Sequence, residues 1–593
     1  MRNSVAAAIV FGLFTAAQPA TAKTDTDAAP PATPQPQSST ADANFETFKQ
    51  TFVEAMFQQA PDWGLEVGQY GGAAQLAIPD PSSDRAFAQK WLDQLARHPQ
   101  AKLSPANVID RALIENFLRR TIWEAETFRR FEWDASIWNV GEGISLLLTR
   151  NYAPLDARLM AVSARLAKVP EYYAVARRSL RRPTLEHTQL AIRQSQGVLD
   201  LLGPSIDEAL AASTLPEARQ AELRERATRA RQAVTDWVAY LDSRIPQLKR
   251  DGRSFRIGPA LYAKKFAFEI QTDMTPVQLY REAQTEKERL TTRMDELTTE
   301  LWPKYFPDTK PPAARAERIG KLIDKLSENH VAAADFVPEV KREIPLLEQW
   351  VRDHDLVTLD PDKPLQVRET PIYKRGVAGA SIDAPGPFDP AATTWYNVDP
   401  LDGKSPEEQE STLREYNHWM LQILNIHEAV PGHYVQLIYA NKSPSLIKSL
   451  LTNGAMIEGW AVYSERMMLE SGWGNNEPEM WLIYSKWALR VVCNTILDYS
   501  VHNLGMTEQQ AMKLLREDAF QQEAEAREKW HRVQVSQVQL TSYYSGFAAI
   551  RALREEVKKR EGSAFELKRF NEHFLSYGNA PVKYIRSAML SAE

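Results

Sequence analysis

The chain reads as a mainly α protein, a large multi-helix body carrying one small β-sheet. Three observations predict this. Apolar residues recur at steps of three and four over long stretches, as they do along one buried helix face. Gly and Pro punctuate those stretches, for example at Gly252, Pro303 and Gly472, where helices are expected to stop. One interval, 356–402, breaks the pattern with Pro, Thr, Val and Asp and holds short β-prone runs.

The elements follow in chain order. Arg2, an apolar run over 6–17 and Ala20-Thr21-Ala22 have the layout of a signal peptide spanning 1–22. The run is shorter than the about 20 residues of a membrane span, so no stable membrane insertion is expected. No Cys follows the cleavage site, so no lipid anchor is expected there. Export to the periplasm or beyond is the expectation. Residues 23–44 are rich in Pro, Ala, Thr and Ser and too poor in apolar side chains to fix themselves, so they read as a mobile linker. From Phe45 to residue 593 one helical body follows, with the chemistry-bearing motifs in 410–550. Helices are expected over 105–130, 217–248, 275–301 and 408–429. Strands are expected at Leu365–Glu369 and Thr394–Val398, the second as an edge strand able to pair with an extended peptide.

Charge and cysteine content narrow the function. The 71 basic residues face 77 acidic ones for a net charge of −6, which gives no global field for nucleic acid. The single cysteine, Cys493, permits no disulfide within the chain and no Cys-based metal site.

Chemistry concentrates in Ile426-His427-Glu428-Ala429-Val430-Pro431-Gly432-His433. Two imidazoles flanking a carboxylate suit zinc hydrolysis: the histidines hold the metal, which lowers the pKa of its water to about 7, and the carboxylate takes the proton. The spacing is unusual. The histidines stand six apart, and at about 100° per residue six steps land about 120° from the starting face. Pro431 and Gly432 lie between them, so a local bulge is expected to return His433 to the site. Glu458 follows 25 residues later in an apolar helical stretch, where a carboxylate is costly unless paired or metal-bound. It completes a His, His, Glu set. Glu465, seven residues further along the same face, is placed to orient a ligand, with a solvated surface position as the alternative. His418 falls on the opposite side of the helix from His427 and is assigned no role.

The runs HEAVPGHYVQ and EGWAVYSE resemble a bacterial family long labelled domain of unknown function 885, itself distantly similar to the thimet oligopeptidase and carboxypeptidase Taq zincins. The likeness extends through GRSFRIGPALYAKKFAFEIQTDMTP, ETPIYKRG, WYNVDP, ILDYSVHNLGMT and VQLTSYYSG. It implies a zincin-like body of two lobes around a cleft, with one Zn2+ held by His427, His433 and Glu458 and with Glu428 as general base. Tyr543 matches the family's tyrosine, whose phenol would stabilise the oxyanion, with a core tyrosine as the alternative. Arg490 and His502 match family positions that would bind substrate, holding the peptide's carboxylate or the oxyanion. Val538 and Asn494 depart from the family's usual Gly and Arg. The expected function is therefore zinc-dependent hydrolysis of short peptides. Alternatives are a zinc amidase acting on a non-peptide, a peptide-binding scaffold without catalysis, and a helical shell whose histidines only serve the core.

Overall fold

The computed structural model describes residues 39–370, 379–384, 386–389 and 393–591. The expected signal peptide, the linker up to residue 38 and residues 371–376 of the ETPIYKRG run lie outside the described residues. Within them the protein is mainly helical and carries one three-stranded sheet, as the periodicity requires.

The first helix, Thr40–Gln59, begins inside the segment read as linker. Local chemistry explains the early start. The Ser39 hydroxyl caps the helix by accepting from the Asp42 N–H at 3.1 Å, and Asp42 in turn accepts from the Ser104 N–H at 2.9 Å. Phe45, Phe52 and Met56 are then buried, and Lys49 reaches Asp110 at 2.7 Å. The polar residues at 39–44 act as a capping sequence tied to the next helix layer.

Most expected helices form, with instructive boundaries. Glu217–Asp251 ends at Gly252. Pro276–Tyr305 opens with a reciprocal Thr275–Gln278 capping box and runs past Pro303. A proline so near the end forfeits little backbone bonding, while Leu301 and Trp302 anchor the last turn in the core. The stretch expected as 105–130 is Pro105–Trp123, then a π turn over Glu124–Phe128 that closes on a left-handed Arg129. The expected helix 408–429 is two helices, Pro406–Glu415 and His418–Glu428. Asn417 divides them: its buried side chain accepts from the N–H groups of Trp419 and Met420, both at 3.2 Å. His418 is exposed.

The sheet has the order β1 (Leu365–Glu369), β3 (Thr394–Val398), β2 (Ala380–Asp383). β1 runs parallel to β3 and β2 antiparallel to it. β3 is therefore the central strand, which corrects the expectation of an edge there. Both its backbone edges are paired, and Tyr396 and Val398 are buried, so it has no edge to offer a peptide. β2, a four-residue run, was too short for its alternation to show.

Among the described residues, buried apolar side chains gather in two clusters. The smaller holds Leu65, Leu76 and residues from Ala135 to Leu241; the larger gathers the rest, Ala88 to Trp133 and the helices around His427 included.

Candidate metal centre

The His418–Glu428 helix delivers His427 and Glu428 at its C-terminal end. There the helix stops and does not bulge. Ala429 leaves helical geometry (φ −109°, ψ −92°), the Val430–Pro431 peptide is cis, and a new helix, His433–Asn441, starts at His433. The Gly432 N–H donates to the Ile426 carbonyl at 3.0 Å, and folds the turn back on the helix just left. A Cβ at Gly432 would stand 1.9 Å from the His427 carbonyl oxygen, so no other residue fits. The Pro431 carbonyl accepts from the Trp460 indole at 2.9 Å, which ties the turn to the helix carrying Glu458. The expected local bulge is thus corrected to a helix break, a turn and a second helix.

This turn closes the six-residue gap. The His427 and His433 rings lie 4.8 Å apart and nearly perpendicular, at 89°. Glu458, on the helix Gly454–Glu470, places Oε2 3.5 Å from His433 Nε2 and 3.9 Å from His427 Nε2. Ligands about 2.1 Å from a tetrahedral zinc stand about 3.4 Å from one another. The spacing of these donors suits that group. Glu428 also lies close, with its carboxylate and the two imidazoles mutually within 4.8 Å. Of the two carboxylates, Glu458 has the ligand-like contacts to both Nε2 atoms; Glu428 is the one beside them.

Glu465 is fully buried and acts on His427. Its Oε1 lies 2.6 Å from His427 Nδ1 and accepts from the Trp487 indole at 2.9 Å, leaving Nε2 of His427 directed at Glu458. Its Oε2 is buried without a partner. Burial drives this carboxyl well above the carboxylate range. A divalent cation across the imidazole would favour the ionised form that the site otherwise penalises. The solvated position open to Glu465 is excluded.

The electrostatics agree with a set of mutually dependent groups. Burial, with His433 adding to it, holds His427 down to about 4. Burial also opposes charge on His433, yet Glu458 outweighs it and raises His433 above its ordinary value. Burial would raise Glu458, but the His433 contact and both imidazoles bring it below the usual carboxylate range. Glu428 is raised, chiefly by burial, which makes it a stronger base than an ordinary carboxylate.

Tyr543 stands on the helix Ser542–Glu561, which crosses the Glu458 helix in backbone contact. A Cβ on Gly459 would meet the Gly546 carbonyl carbon at 2.4 Å, and one on Gly546 would meet the Ala455 carbonyl oxygen at 1.7 Å. This crossing brings Tyr543 beside Glu458, whose charge acts on its phenol. The phenol accepts from Arg532 Nη2 at 3.1 Å, and the same nitrogen donates to Gln539 at 2.8 Å. Arg532 was not singled out in the sequence. It lies on the helix Glu523–Val535 with Glu525 and Lys529, a row of charges at steps of four and three that reads as a solvated face.

Arg490 and His502 share the helix Pro478–Leu504 but not the site. Arg490 stacks on Trp487, 4.7 Å from the ring centre, and pairs with Glu525. His502 lies 12 residues further on, about 18 Å along the helix. It is buried, and its Nε2 lies 3.0 Å from the Val533 carbonyl and 3.1 Å from that of Ser536. The expectation that it binds substrate is corrected: it fastens the loop before Tyr543. Cys493 is buried among apolar neighbours.

The chain belongs to the family described as bacterial protein of unknown function (DUF885), whose model matches residues 61–589. A candidate lipoprotein of unknown function from Shewanella oneidensis is similar in structure, with a TM-score of 0.84 and 50% identity over 92% of this chain and 99% of that one. A candidate lipoprotein from Colwellia psychrerythraea shares the fold at 16% identity, with a TM-score of 0.76 over 93% of this chain and 100% of that one. No curated protein matches the chain.

Proposed function

We propose that the protein is an exported zinc-dependent peptidase of zincin type that hydrolyses short peptides. The observation that supports this most is the convergence of His427, His433 and Glu458 at ligand-like spacing, with Glu428 beside them and Glu465 behind His427. His427, His433 and Glu458 would hold one zinc ion. When bound, zinc polarises the scissile carbonyl and makes water acidic. Glu428 takes the proton of the attacking water and passes it to the leaving amine. Glu465 fixes the tautomer and orientation of His427. Tyr543, steadied by Arg532, donates its phenol to the developing oxyanion. Export agrees with the leader-like layout of residues 1–22 and with the description of both similar structures as lipoproteins.

A zinc amidase acting on a non-peptide would use the same groups. Retention of Glu428 weighs against a binding scaffold, which has no use for a base. The test is metal content and hydrolysis of a peptide library by wild type and Glu428→Gln. Wild type should carry about one zinc and cleave; the variant should keep the zinc and lose at least ~10²-fold in rate. Wild-type protein that binds no zinc, or a variant as fast as wild type, would overturn the mechanism.

A further inference from the structure

Two of the sequence runs that carry the family likeness place no residue in the ligand cluster, yet both reach the turn that precedes Tyr543. ILDYSVHNLGMT supplies Asp498 and His502, and GRSFRIGPALYAKKFAFEIQTDMTP supplies Tyr262 and Lys265. The turn itself belongs to VQLTSYYSG, and leads from the Glu523–Val535 helix into the Ser542–Glu561 helix.

Backbone bonding accounts for the meeting. Buried N–H and C=O groups in such a turn need partners that no helix provides. His502 Nε2 donates to the carbonyls of Val533 and Ser536. Asp498, one turn earlier on the same helix, accepts from the N–H of Val538 at 3.0 Å and of Leu540 at 3.2 Å, one on each oxygen. Asp498 is fully buried. No cation pairs with it among the described residues, and Lys265, which acts on it from the Gly258–Glu269 helix, is held by Glu269. Burial pushes this carboxyl up to about 7, opposed by the two N–H bonds and by the hydroxyl of Tyr262, which also stands 3.3 Å from Thr541 Oγ1.

A buried carboxylate without a cation and a valine held at φ +71° are two separate costs of one short turn. A turn with no further role could use Gly or Asn and incur neither. What this one delivers is the placement of Tyr543. The Thr541 N–H closes on the Val538 carbonyl at 3.0 Å, the helix starts at Ser542, and Gln539 and Tyr543 share Nη2 of Arg532.

We propose that Asp498 is the positioning residue for Tyr543: by fixing the Val538–Thr541 turn it sets the phenol beside Glu458, where the oxyanion would develop. The catalytic consequence rests on the peptidase reading; the placement of Tyr543 does not. Asn cannot replace Asp498, because it keeps one acceptor and turns an amide N–H towards the second backbone N–H.

The test places a fluorinated tyrosine at position 543 of the full chain supplied with zinc and reads its fluorine NMR resonance. Steady-state peptide hydrolysis is measured alongside, with and without Tyr543→Phe. Asp498→Asn should shift or split the resonance. It should lower kcat about 10- to 100-fold with KM nearly unchanged, as misplacing a catalytic group does. In the Tyr543→Phe background the same change should cost almost nothing further, because the two residues act as one unit. Val557→Ala, a buried position near the far end of the Tyr543 helix, measures general destabilisation and should leave both readouts at wild type. An unmoved resonance in Asp498→Asn overturns the proposal. So does a kcat loss that is equally large without the Tyr543 hydroxyl, or a Val557→Ala variant that matches Asp498→Asn in both readouts. If the resonance moves but wild type cleaves nothing, Asp498 still positions Tyr543 and the peptidase reading falls. Should Asp498→Asn fail to fold, Tyr262→Phe, which removes the hydroxyl beside Thr541, is read in the same two ways.

Discussion

Glu465 shows how much one buried side chain can decide. It binds His427 and Trp487 through a single oxygen and leaves the other without a partner in a fully buried site. Groups in this position tune ligand basicity, and their loss usually weakens metal binding about 10–100-fold. Glu465→Gln is expected to lower zinc affinity within that range, read by competition with a chelating dye; unchanged affinity would remove Glu465 from the metal site. Val538 is a second informative residue. It is buried at φ +71°, a conformation that a β-branched residue rarely adopts, with its N–H donated to Asp498 at 3.0 Å. This backbone is one that Gly adopts without strain, in keeping with the Gly that the family resemblance leads one to expect there. Val538→Gly trades lost packing against relieved strain, each about 1–3 kcal/mol. Its melting temperature should therefore fall much less than that of Val462→Gly, a buried valine within a regular helix. An equal fall would argue against strain at Val538.

At the scale of elements, the site depends on two places where backbones approach too closely for a side chain. Gly432 permits the turn that restarts the chain at His433, and the Gly459–Gly546 crossing sets Tyr543 beside Glu458. Gly546→Ala drives a Cβ into the Ala455 carbonyl, so the two helices must part. A melting temperature several degrees lower and a large loss of turnover are expected, by thermal unfolding and peptide hydrolysis; an active variant of wild-type stability would refute the crossing. A third element contact gives a pH dependence. Glu343, on the helix Phe336–Asp353, accepts from Asn425 at 2.6 Å, and Asn425 accepts from Tyr396 of β3 at 2.8 Å. Burial pushes this carboxyl up to about 8. A pKa raised in the folded state favours the protonated form, so Glu343 costs nothing below about pH 4.5. The penalty grows as pH rises and levels off above about 8, reaching a few kcal/mol. Glu343→Gln should therefore gain stability over wild type progressively between those values, in melting curves taken at several pH values. A gain independent of pH would assign the effect to packing.

Among the described residues the buried apolar surface divides into two clusters, and the helices that carry all three proposed ligands pack within the larger one. A metal that binds only the folded form stabilises by mass action, about 4 kcal/mol at a thousand times its Kd. Zinc should thus raise the unfolding temperature of the larger cluster and leave that of the smaller one nearly unchanged. Calorimetry of the metal-free and zinc-loaded chain checks this, with His427→Ala as the variant that should not respond. A response in His427→Ala equal to wild type would place the metal elsewhere.

How much was legible follows from how far each signal reaches along the chain. The mainly helical class, most helix spans and the strand runs of β1 and β3 were legible because periodicity and capping act over a few residues. His427, Glu428, His433 and Glu458 were legible because their donors are rare in apolar surroundings and close in sequence. Other features required the fold. Asn417 splits a helix by a side-chain bond that no periodic pattern displays. β3 is central because β2, only four residues long, returns to its other side. Arg532 and Lys529 look like a solvated charged face until another helix covers them. His502 sits about 18 Å from Arg490 along the same helix, a separation that matching motifs cannot reveal. The sequence by itself determined which elements form and which residues carry reactive groups, since both follow from local backbone preference and side-chain chemistry. Only the tertiary structure decided which of those groups meet, because meeting depends on helix crossings such as Gly459–Gly546, set by contacts between residues far apart in the chain.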